Sequence, residues 1–150
     1  MKKLLSIIIA LVTFAGMADA QITIKKSDTG KAERMTTLSM YWSWIYRLDD
    51  AYFLVMKSSN QFDDSFWMNL GTTQEECMES VNSLIDLAKT ITDTDRYELG
   101  NGVGETYDVT RYNDFGAKGL RFDGKSHAGF GYIILANLNK AAKWIQTNIE

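Results

Sequence analysis

Leu38, Met40, Trp42, Trp44, Tyr46 and Leu48 occupy six successive even positions, while Thr37, Ser39, Ser43 and Arg47 dominate the odd ones. Side chains of a strand alternate between two faces, so apolar residues repeating every second position predict a β-strand with one buried face. Asp49-Asp50 interrupts the pattern, and Ala51 to Lys57 (AYFLVMK) runs back as the second strand of a hairpin. Two registers are open. A two-residue turn at Asp49-Asp50 sets Trp44 opposite Val55 and Tyr46 opposite Phe53. A three-residue turn sets Trp44 opposite Leu54 and Trp42 opposite Met56. The choice matters, because a one-residue slip moves a whole strand's side chains to the other face. The expectation is that helices cover the Trp42/Trp44 face. The opposite face, with Tyr41 and Ile45, then remains as partly apolar sheet surface.

The N-terminus carries an address. Lys2 and Lys3 precede the largely apolar Leu4 to Phe14, and Ala18-Asp19-Ala20 offers small residues at the positions a signal peptidase reads. These parts predict a secretory signal peptide, residues 1–20, cleaved after Ala20, and export to a periplasm or the exterior. The apolar run is about half of the ~20 residues that span a bilayer, so no membrane anchor is expected after cleavage. Residue 21 is Gln rather than Cys, which argues against a lipid anchor. Residues 21–150 then form a single domain by size. Export commonly accompanies disulfides, yet the chain has one Cys and one His, so the core alone must hold the fold. Cleavage removes two Lys and one Asp from 16 basic and 19 acidic residues, leaving a net charge of -4. That balance offers no general attraction to nucleic acid.

Gln21 to Arg34 is polar and Lys-rich, a leader or a short edge strand whose lysines discourage edge pairing. Beyond the hairpin, Asn60 to Asp64 reads as a turn and Ser65 to Leu70 as a third strand. Thr73 with Glu76 forms a capping box, and Cys77, Val81, Leu84, Ile85, Ala88 and Ile91 share one face of the helix that follows. Eight of the 11 Gly then lie between Gly100 and Gly131, separated by the β-like pieces Arg96–Leu99, Glu105–Tyr112, Leu120–Phe122 and Phe130–Leu135. Tight turns and bulges in a sheet account for that pattern. A second helix follows, with Asn137 as its cap and Leu138, Ala141, Ala142 and Ile145 on its apolar face. The fold class is therefore α+β. An antiparallel sheet of about six to eight strands carries two helices, in the order strands-helix-strands-helix. This reads as two meander-plus-helix units sharing one sheet or barrel.

Catalytic machinery is not visible, and no catalytic residue, metal site or cofactor is assigned. His127 lies in a Gly-rich turn with Ser126 as its sequence neighbour, and no G-x-S-x-G elbow exists. Cys77 sits on the apolar face of its helix and reads as a packed core thiol. Gly100 to Gly104 resembles a phosphate loop, but a strand rather than a helix follows, which predicts a hairpin turn. Asp93, Asp95 and Glu98 miss the calcium-loop spacing, because Tyr97 stands at the third ligand position. Asp49-Asp50 and Asp63-Asp64 are carboxylate pairs within turns. The aromatics are the informative feature: Tyr41, Trp42, Trp44, Tyr46, Tyr52, Phe53, Phe66 and Trp67 fall within one short stretch. The expected function is that of a non-catalytic binding module, with Tyr41, Ile45 and Trp67 as its contact residues and an unidentified protein or glycan as ligand. Two alternatives stand beside it: a small carboxylate-based hydrolase of envelope or extracellular polymers, and a subunit that self-associates, for example as a homodimer.

Overall fold

The computed structural model describes residues 32–150, so the signal-peptide assignment and residues 21–31 lie outside the described residues. Strands β1 (Glu33–Ser39), β2 (Ser43–Leu48), β3 (Ala51–Met56) and β4 (Phe66–Gly71) form an antiparallel meander in that order. Helix α1 (Gln74–Thr90) follows. A second meander is built from β5 (Tyr97–Gly100), β6 (Thr106–Asp114), β7 (Ala117–Gly124) and β8 (Phe130–Ile134), and helix α2 (Leu135–Asn148) closes the chain. The class is α+β, in the order strands-helix-strands-helix.

Three expectations are corrected. First, the alternation across residues 38–48 belongs to two strands. β1 ends at Ser39, Met40 to Trp42 turn, and Ser39 pairs with Ser43. This turn contains no Gly, Asn, Asp or Pro, so nothing in its composition announces it. Second, the two-residue turn at Asp49-Asp50 is the one realised, with Trp44 opposite Val55 and Tyr46 opposite Phe53. Asp49 takes the left-handed conformation at φ 53, which Asp tolerates better than most side chains. That register places Ser43 and Ile45 beside Met56 and Leu54, and this is the face the helices cover. The Trp44 face points outward. Both faces are apolar, so alternation alone could not choose between them. Third, the meanders form two sheets rather than one sheet or barrel.

One core joins both sheets and both helices. It includes Ile45, Leu54, Met56, Phe66 and Met68 from the first sheet, and Val109, Leu120, Phe122 and Ile133 from the second. Cys77, Val81, Leu84, Ile85 and Ala88 of α1 and Leu138, Ala141 and Ile145 of α2 fill the space between them. The α1 capping box is formed as expected: Glu76 N–H donates to Thr73 Oγ1, and Glu76 Oε2 accepts from the amides of Thr72 and Thr73. Those amide bonds, the Thr72 amide foremost, lower the Glu76 pKa. Asn137 does not cap α2. The helix begins at Leu135 directly out of β8, its N-cap Ile134 makes no side-chain bond, and Asn137 is buried inside the first turn.

Hydrogen bonds between the sheets replace strand pairing. The outward amides of β4 find partners in the second meander: Trp67 N–H donates to the Tyr107 hydroxyl at 3.3 Å, and Asn69 N–H to the Asn101 carbonyl at 2.8 Å. At the other side, Ser59 N–H donates to the Phe130 carbonyl, Phe130 N–H to Ser59 Oγ, and Gly129 N–H to Asp63 Oδ2. The Gly100–Gly104 segment is a hairpin turn, as expected. At its base Asn101 is fully buried, and its side chain bonds the amides of Val103 and Glu105, the Glu105 carboxylate and the Tyr107 hydroxyl. A buried amide is tolerated when its polar atoms are paired in this way.

Candidate functional site

Trp44 and Tyr46 on β2, Phe53 and Val55 on β3, and Trp67 on β4 share the outer face of the first sheet. Among the described residues no helix covers it, yet Phe53 and Val55 are 6% and 2% exposed. Their neighbours provide the cover. Trp67 packs its ring 5.7 Å from Phe53 and 5.5 Å from Tyr46, centroid to centroid. This explains why all of Phe53 to Met56 is buried although β3 alternates: each face of β3 meets a different apolar layer.

Above this layer lies an open concavity of about 550 Å³, lined by Arg34, Tyr41, Trp44, Tyr46, Lys57, Asp63 and Trp67 among others. Arg34 comes from β1, where it pairs with Tyr46. In an up-and-down meander the β1–β2 turn and the β3–β4 loop emerge at the same end of the sheet. The β1–β2 turn rims the concavity with exposed apolar side chains, Met40 at 71% and Tyr41 at 67% exposure, and the β3–β4 loop contributes Asn60, Gln61 and Asp63. Asp63 lies on the same loop and is tied down. It accepts from the Gly129 amide, Ser58 Oγ and Asn60 Nδ2, and the Gly129 bond above all lowers its pKa.

Of the three residues expected to make contact, the structure brings two together. Tyr41 and Trp67 both line the concavity. Ile45 does not: it is fully buried, because the odd positions of β2 lie on the face that the helices cover. Sequence reasoning missed Arg34, Trp44, Tyr46 and Lys57. The two-residue Asp49-Asp50 turn sets Trp44 beside Val55, but which face the helices leave open is a tertiary outcome that the turn does not encode.

A second cleft, of about 540 Å³, is lined by Asp64, Ser65, Trp67, Glu105, Ser126 and His127, so Ser65 and Trp67 border both depressions. His127 is a turn residue, half-buried and stacked on Phe66 at 4.0 Å. Ser126 Oγ lies 3.1 Å from His127 Nδ1 and 3.0 Å from Glu105 Oε1. A hydrolytic triad needs the imidazole between the hydroxyl and the carboxylate. Here the hydroxyl lies between the other two, and His127 Nε2 is buried with no partner among the described residues. Glu105 is committed too, since its other oxygen accepts from Asn101 Nδ2 and lies 3.0 Å from the Tyr107 hydroxyl. Cys77 is buried in the core, and desolvation pushes its thiol up to about 11, away from the reactive thiolate. Among the described residues no group of three or more His, Cys, Asp or Glu is placed to hold a metal ion, and no helix is long and apolar enough to cross a membrane.

No family model, curated protein or solved structure matches this chain.

Proposed function

We propose that this protein is a non-catalytic binding module whose ligand surface is the aromatic outer face of the first sheet. The observation that carries this reading is the coincidence of the open concavity with Arg34, Tyr41, Trp44, Tyr46 and Trp67. Arg, Tyr and Trp are the residue types that dominate binding energy at recognition surfaces, and they do so in sheltered depressions. Met40 and Tyr41, left exposed along its lining, add to the apolar area a ligand would cover.

The hydrolase alternative gains less support. Asp64 and Glu105 border one cleft, but both Glu105 oxygens already have protein partners, so the cleft offers one uncommitted carboxylate where glycoside chemistry needs two. Self-association remains the serious competitor, because a second copy could also cover the concavity. Size-exclusion chromatography with light scattering over a concentration series separates the two. The binding-module reading expects a monomer throughout, unchanged by Tyr41→Ala. A dimer that Tyr41→Ala dissociates would replace it with the self-association reading.

A further inference from the structure

The two cations of the concavity are held on aromatic rings. The Arg34 guanidinium lies 5.0 Å from the Trp44 ring centroid and 5.5 Å from that of Tyr46. Its Nε and Nη2 donate to the Tyr46 hydroxyl at 3.0 and 2.9 Å. A guanidinium carries five N–H donors, so those of Nη1 are left to a ligand. Lys57 Nζ lies 5.9 Å from the Trp42 ring centroid. Arg47, Arg111 and Arg121 by contrast each face a carboxylate, on Asp50, Asp93 and Asp123. Among the described residues neither Arg34 nor Lys57 has such a partner. Asp63 borders the same concavity, but its oxygens are taken by Gly129, Ser58 and Asn60. The site therefore presents a positioned, planar cation over an apolar floor, which suits a carboxylate.

The same stacking bears on the kind of ligand. A pyranose binds by lying flat on an aromatic face, and Arg34 already covers Trp44 and Tyr46. The lining of Met40 and Tyr41, together with Arg34 and Trp67, has instead the composition of a protein–protein hot spot. Given that the concavity is the ligand surface, we infer that its occupant is a polypeptide segment of a partner protein that offers an Asp or Glu carboxylate to Arg34 and apolar side chains to Tyr41 and Trp67.

The test is selection of a random octapeptide display library on the immobilised protein, followed by affinities for the enriched peptides. The expected result is enrichment of sequences with Asp or Glu flanked by apolar or aromatic residues. Binding should weaken about tenfold or more when that acid becomes its amide, and equally in Arg34→Gln. Arg34→Lys should recover only part of it, because an ammonium cannot reproduce the stacked fork. Unchanged melting temperatures would show that both variants fold. Enriched peptides that are neutral or basic, lose affinity in Trp67→Ala and ignore Arg34→Gln would overturn the inference while leaving the binding surface in place. So would an empty selection alongside binding of a short oligouronate that Trp67→Ala abolishes. Failure of every peptide and of the oligouronate to bind, or binding indifferent to both Arg34→Gln and Trp67→Ala, would overturn the inference together with the reading it rests on.

Discussion

The Tyr107 hydroxyl lies 3.3 Å from the amide nitrogen and 3.2 Å from the carbonyl oxygen of Trp67, a residue 40 positions earlier. It occupies the place a neighbouring strand would take along the edge of β4. Tyr107 is 1% exposed, and burial raises its pKa, so the hydroxyl stays protonated and serves as donor and acceptor at once. Trp67 borders both surface depressions, so this contact also fixes the floor of the candidate site.

Tyr107→Phe should therefore be costly for a change of one atom. It removes the acceptor of the Trp67 amide and of Asn101 Nδ2 in a buried setting. A loss of about 1–3 kcal/mol is expected. A lower urea midpoint with an unchanged slope would confirm it. A midpoint within error of the parent would show that the hydroxyl is not needed at the seam.

Gly71→Ala should destabilise by a different route. Gly71 ends β4 at φ +133, where L side chains are strained, and an added Cβ would lie 2.5 Å from the Cβ of Glu76. That clash falls on the residue that closes the capping box of α1. Strain and a weakened cap each cost about 1 kcal/mol or more. Thermal unfolding should report a clear drop in melting temperature, whereas Gly100→Ala, with open space around it and no positive φ, should be close to neutral.

Acid should loosen the loop that rims the concavity. The Asp63 pKa is lowered in the folded protein, chiefly by the Gly129 amide. A depressed carboxylate pKa gives stability that is present above its unfolded value, about 3.9, and lost as pH falls through the folded value. Asp63→Asn removes that dependence. Urea midpoints measured from neutral pH down to acid should fall more steeply for the parent than for the variant in the acid range. Parallel curves would mean that Asp63 does not link the sheets as described.

Cys77 should be inert in the native protein. It is buried, and its thiol is pushed up to about 11. A thiol reagent such as a disulfide dye should react within minutes in strong urea and only at the rate of opening without it. Immediate reaction in native buffer would place Cys77 at the surface.

Much of this architecture was legible because it follows from local rules. Thr73 and Glu76 announced α1, the spacing from Cys77 to Ile91 gave its buried face, and the Gly-rich half read as turns between strands. The outer face of the first sheet was not legible for a reason peculiar to these residues. Ile45 and Trp44 are both good strand formers, and either face could have been the core. The decision lay with the face that the helices cover, a tertiary contact that neither the alternation nor the turn encodes. Met40-Tyr41-Trp42 hid a turn inside a β-like run. The roles of Arg34 and Asn101 depend on partners brought together by the fold, Tyr46 for one and Asn69 with Tyr107 for the other. Periodicity carries no information about such contacts.

The central claim is that ligands bind on the aromatic outer face of the first sheet, and the four Trp residues provide built-in reporters. Trp44 and Trp67 line the concavity, while Trp144 packs on the helix side, 6.3 Å from Tyr52. The most direct measurement is fluorine NMR of the 5-fluorotryptophan-labelled protein against a library of carboxylate-bearing and neutral aromatic fragments. The account predicts that the Trp44 and Trp67 resonances move, most with the carboxylates, while Trp144 stays still. Fragments that move Trp144 and leave Trp44 and Trp67 in place, or a library that moves none of them, would contradict it.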